Sequence, residues 1–109
     1  MLERTRLILK IMHLAYLVHE KTNYCIFFSF SGHIDSFDLD IRESKERWQA
    51  RVLETHFCTS YKALRDNGVD AKLADLKSKI MVLEGILADG EIAYEELDYE
   101  EEYNRVYLF

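Results

Sequence analysis

The sequence predicts an α+β fold in a single domain, and three observations carry the prediction. Apolar residues recur at helical spacing near both ends of the chain. Between them, an aromatic-rich run breaks at Gly32 and resumes with period two. With no proline and no low-complexity linker, nothing divides the 109 residues. A chain of this length buries a core without disulfides or a bound metal, and a hydrophobic content of 49% supplies one. The expected order is an N-terminal helix, an antiparallel β-hairpin of two or three strands, one or two C-terminal helices and an acidic tail.

From Leu2 to Lys21, the residues Leu7, Ile11, Leu14 and Val18 follow at steps of four, three and four. Ile8, Met12 and Ala15 widen the stripe, so this helix is expected to pack on the core. Its polar positions, Arg4, Arg6, Lys10, His13, His19 and Lys21, read as a solvated basic face. Lys10 and His13 interrupt the apolar stretch from Leu7 to Val18, which is too short to span a bilayer and is followed by no small-residue cleavage site. Neither export nor a membrane partner is expected, and the cytoplasm is the expected location.

Asn23 to Phe30 is rich in Tyr, Ile and Phe on both parities, as expected of a strand covered on both faces. Ser31, Gly32 and His33 supply turn chemistry, and Phe37, Leu39 and Ile41 then alternate with Asp38 and Asp40, which makes a hairpin. In Ser44 to Asp66, the spacing of Leu53, Phe57, Tyr61 and Leu64 favours a helix with Gly68 as its stop, although Trp48 to Phe57 would also suit a third strand. Val69 to Ala88 is the clearest helix. Leu73, Leu76, Ile80, Leu83 and Leu87 repeat at three-four-three-four spacing, Asp70 is the expected N-cap and Gly90 the stop. That seam fits packing against the first helix or a homodimer contact, and it is too short for a coiled coil.

Charge is distributed unevenly. Residues 1–88 carry 13 Lys and Arg against 12 Asp and Glu, whereas residues 89–109 carry Arg105 against eight acids. The division expected is therefore a domain over residues 1–90 and an acidic, tyrosine-rich segment over 91–109. An excess confined to one end is an electrostatic device rather than a means of general solubility. Tyr94, Tyr99, Tyr103 and Tyr107 are interleaved with the acids, which marks a segment that docks, either on its own domain or on a partner.

Catalytic and metal motifs are weak. His33, Asp35, Asp38 and Asp40 read H-x-D-x-x-D-x-D, but on a strand Asp35 faces away from Asp38 and Asp40, so the set does not converge. Cys25, Cys58, His13, His19 and His56 show no ligand spacing, and the two cysteines read as buried thiols of a reducing compartment. Phosphate-loop, dinucleotide and nucleophile-elbow signatures are absent. Neither an enzyme nor a cofactor is expected; a small hydrolase or metal enzyme built on His33 and the aspartates is the least favoured reading.

The run "FFSFSGHIDSFDLDI", through Phe28, Phe30, Ser31, Gly32, His33 and Asp35, resembles small proteins encoded by phages and prophages of Gram-positive bacteria. In these an F-x-F-S-G-H-V-D-like hairpin precedes a leucine-rich helix. The stretch after Ile41 departs from the pattern, lacking its glycine-tryptophan turn and carrying only Trp48. The acidic "EELDYEEEYN" is similar in composition to segments of anti-CRISPR proteins that imitate nucleic-acid phosphates. These resemblances imply an inhibitor acting in the cytoplasm of an infected bacterial host. Its partner would be a basic, nucleic-acid-handling protein such as a CRISPR effector nuclease, and it would bind no nucleic acid directly. Glu95, Glu96, Asp98, Glu100, Glu101 and Glu102 would supply the charge, with Tyr99 and Tyr103 as apolar anchors. The alternative is a homodimeric assembly module joined through the Leu73–Leu87 seam.

Overall fold

Two helices cover one face of a mixed sheet in the computed structural model, which describes residues 3–31, 36–58, 69–97, 99–101 and 105–109. The elements are α1 (Glu3–Lys21), β1 (Cys25–Ser31), β2 (Ser36–Arg42), β3 (Arg51–Cys58) and α2 (Val69–Asp89). A 3-10 turn (Tyr94–Glu96), β4 (Tyr99–Glu101) and β5 (Arg105–Leu108) follow. The sheet order is β1-β2-β3-β5-β4, antiparallel throughout except for the parallel β3/β5 pair. The α+β class, the N-terminal helix, the hairpin and the long C-terminal helix are therefore as the sequence predicts.

The hairpin register pairs Phe28 with Leu39, Phe30 with Phe37 and Ser31 with Ser36, so Ser31, expected in the turn, is instead the last residue of β1. Gly32, His33 and Asp35 themselves lie outside the described residues. Phe37, Leu39 and Ile41 enter the core, and Asp38 and Asp40 face outward. Phe28, Phe37 and Phe57 stack across the first three strands, each successive pair with ring centroids 5.4 Å apart, an arrangement that adds roughly 0.5–1.5 kcal/mol per pair beyond area burial.

The helix expected over Ser44 to Asp66 is corrected: Arg51–Cys58 is a strand. It pairs with β2 through seven residues, Leu53, Thr55 and Phe57 pointing inward while Glu54 and His56 point outward. The pleat of β2 required a neighbour, and β-branched Val52 and Thr55 suit one. Tyr61, Leu64 and Gly68 lie outside the described residues. The strand total also exceeds the two or three expected, because β4 and β5 come from the tail.

Leu76, Ile80 and Leu83 of α2 are buried in the same core as Ile11, Leu14 and Val18 of α1. Leu87 packs at its margin and Leu73 is half-buried. Three of the five seam residues are thus buried inside the chain, and the other two are half-buried. The helix starts at Val69, one residue ahead of the expected cap Asp70, and stops where predicted: Gly90 takes φ +78°, and its N–H donates to the Ile86 carbonyl at 2.8 Å. At the end of α1, Lys45 Nζ donates to the His19 and Thr22 carbonyls at 2.7 and 3.1 Å, placing a cation on a helix C-terminus.

The described residues of the 91–109 segment bond to the rest of the chain. Tyr107 pairs with Leu53 in register, the Phe109 N–H donates to the Glu54 carbonyl, and the Ile92 N–H donates to the Tyr24 hydroxyl at 3.2 Å. Lys79, only 3% exposed, donates to the Phe109 main-chain oxygen at 2.6 Å and pairs with Asp75 at 3.2 Å. Burial holds its ammonium below the usual lysine range, opposed by Asp75.

Candidate functional site

Carboxylates on the open face of the sheet and those on the 3-10 turn sit in different electrostatic surroundings. On the open face of the sheet, Asp40 meets Arg42 at 2.9 Å, Glu54 meets Arg51 at 2.5 Å and Asp38 accepts from His56 Nδ1 at 2.6 Å. Beside them, Glu43 pairs with Arg47 at 3.4 Å. Asp40, Glu43 and Glu54 each lie close to an arginine, and their field at a distance is small.

Glu95 and Glu96 differ. Both are exposed on the 3-10 turn, and neither forms an ion pair or a side-chain hydrogen bond among the described residues. The turn is held by the backbone, the Glu96 N–H donating to the Ala93 carbonyl at 3.1 Å, while Leu97 and Tyr94 pack against the core beneath it. Burial pushes the Tyr94 phenol well above the usual range, with Tyr24 contributing. Among the aromatic residues proposed as anchors, Tyr99 is exposed on β4, its ring 5.6 Å from that of Tyr107. Glu100 and Glu101 follow it along β4, the outermost strand of the sheet. Asp98, Glu102 and Tyr103 lie outside the described residues. The structure therefore brings Glu95, Glu96 and the β4 trio to one end of the sheet.

The opposite end is apolar. There β1 is the outermost strand, with Phe27 and Phe30 exposed, and on α1 Leu9, Met12 and Tyr16 form an exposed stripe at helical spacing. Met12, Ala15, Tyr16 and His19 face Ile26 and Phe28 across a groove of about 260 Å³. Met12, expected in the stripe that faces the core, is exposed. The available signal was that apolar residues of α1 cover more of its circumference than one packed face needs.

Serine, aspartate and histidine also align across the open face: Ser29 pairs with Asp38, and Asp38 with His56. The aspartate stands between the other two, so the imidazole lies two strands from the hydroxyl, and the arrangement does not activate a nucleophile. Both Asp38 and His56 are more than half exposed, where water competes for every hydrogen bond. Nearby, Arg42 lies over the Phe27 ring at 4.8 Å and donates to the Trp48 carbonyl, fixing the outer surface of β1 and β2.

Neither known protein families, nor curated proteins, nor solved structures contain a match to this chain.

Proposed function

We propose that the chain is a non-enzymatic inhibitor that uses its acidic end to occupy a basic, nucleic-acid-binding groove on another protein, in the manner of a phage-encoded anti-CRISPR mimic. The observation that carries this reading is that Glu95 and Glu96 are exposed with no ion pair among the described residues, whereas Asp40, Glu43 and Glu54 each pair with an arginine. A groove built for phosphates gains most of its binding energy from charge neutralisation and counterion release, and clustered carboxylates draw on the same term. Asp98, Glu100, Glu101 and Glu102 extend the charge, and Tyr99 and Tyr103 supply amphipathic contact area at its centre.

The test replaces Glu95, Glu96, Glu100, Glu101 and Glu102 together with Gln and measures inhibition of nucleic-acid binding by candidate effector nucleases. The melting temperature is expected to stay nearly constant, because exposed acids contribute little to folding. Inhibition is expected to vanish, and inhibition by the unaltered chain to weaken as salt rises. Tight binding that survives both high salt and the five substitutions rejects the mimicry reading.

A further inference from the structure

We propose that the β1 edge, together with the exposed stripe of α1, is a dimer interface at which two copies of this chain join their sheets about a two-fold axis. The proposal is independent of the inhibitory reading and concerns the opposite end of the sheet.

An edge strand presents a row of unpaired N–H and C=O groups, and soluble proteins ordinarily protect such rows with charge, proline, bulges or shortness. β1 has none of these protections. It runs for seven residues, "CIFFSFS", without a charged residue, and its pairing with β2 shows no register shift along its length. Main-chain geometry favours one kind of cover, because an extended strand pairs with the whole row at once.

Three observations select a second copy as that strand. First, β1 is complementary to itself. An antiparallel register centred on Phe28 sets Ile26 opposite Phe30 of the other copy, Phe27 opposite Ser29 and Cys25 opposite Ser31. Aromatic residues then meet β-branched ones and no like charges meet. Phe30, 55% exposed at the end of its strand, gains the Ile26 it lacks at home. Second, the two-fold axis of such a pairing is perpendicular to the sheet, so both α1 helices lie on the same face. Leu9, Met12 and the 61%-exposed Tyr16 of each copy then flank the joined strands over the groove. Third, head-to-tail growth is disfavoured. The other edge, β4, has only three residues, two of them glutamates, and offers β1 a poor template, so the contact closes as a dimer instead of propagating.

The test measures mass in solution by sedimentation over a wide range of protein concentration, with hydrogen exchange read strand by strand. The unaltered chain is expected to reach twice its 12.9 kDa monomer mass. The amides of β1 should gain protection as the dimer forms, and those of β4 should not. Tyr16→Glu and Phe30→Lys, both at exposed positions, are expected to give monomers with unchanged circular dichroism, while Met81→Glu, at an exposed position on α2, leaves the dimer intact. A chain that stays monomeric at high concentration overturns the proposal. So does a dimer that survives both disruptive substitutions, or β1 protection that does not change with concentration. The exchange measurement needs no substitution, so it decides the matter even if a variant misfolds.

Discussion

The two outer strands of the sheet solve the problem of an exposed edge in opposite ways. β4 is short, carries Glu100 and Glu101, and is preceded by the exposed pair Glu95 and Glu96; β1 is more than twice as long and bears no charge. Charge along β4 repels another strand and attracts a basic surface. The bare backbone and aromatic residues of β1 have no such bias and invite a strand. One sheet thus presents a polar recognition end and an apolar association end, and the charge asymmetry visible in the sequence is the chemical trace of that division.

The largest effect that bears on this contrast comes from the rings beneath β1. Phe37 is buried and stacked on both Phe28 and Phe57, so Phe37→Ala should cost about 3–5 kcal/mol by denaturant titration. Protection of β1 amides should fall with it. A loss under about 1 kcal/mol would mean that the stack does not hold the apolar edge in place.

Next in size is Gly90, which turns the chain from α2 toward the acidic end. An added Cβ there meets nothing within 4 Å, so the cost of Gly90→Ala comes from φ +78° alone, roughly 1–2 kcal/mol. Thermal unfolding reads it, and a null result would remove the strain argument for this turn.

Lys79 ties α2 to the chain beyond β5, and its effect depends on pH. Its folded-state pKa lies below the ordinary 10.5, so between the two values the unfolded chain binds the proton more readily and stability rises with pH. Tyr94 acts oppositely. Its raised pKa means that above the ordinary value of 10.0 the unfolded chain ionises first, and stability falls. The difference in stability between the unaltered chain and Lys79→Met, followed across alkaline pH, cancels the tyrosine and should show the rising slope. A flat difference would place Lys79 in water.

The smallest effect is expected from Glu95→Gln with Glu96→Gln, within about 0.5 kcal/mol of the unaltered chain because both carboxylates are exposed and have no ion pair among the described residues. A larger loss would make them structural.

Both helices and the first hairpin were legible because their patterns commit to one period: the α2 leucines fit only a helix, and Phe37, Leu39 and Ile41 fit only a strand. β3 was not legible because Leu53 and Phe57 stand four apart, one turn of a helix but also two repeats of a pleat. Only pairing with β2 separates the two. β5 carried no local signal either, since its partner Leu53 is some fifty residues away in sequence and its strand has only four residues. Of the candidate site, the acids were visible and their surroundings were not. Composition counts Asp38 and Glu95 alike, but the fold gives Asp38 a histidine partner and Glu95 none among the described residues. The stripe of Leu9, Met12 and Tyr16 was overlooked because apolar helix residues are ordinarily assigned to the core.

The most direct test of the division between the two ends is an amide chemical-shift titration of the unaltered chain with an arginine-rich peptide, standing in for a groove that binds phosphates. Perturbations are expected at Glu95, Glu96 and along Tyr99–Glu101, lost at high salt and lost in the five-Gln variant, with α1 and β1 undisturbed. Perturbations centred on Met12, Tyr16 and Phe28, or a response at the acidic end that salt leaves unchanged, would contradict that division.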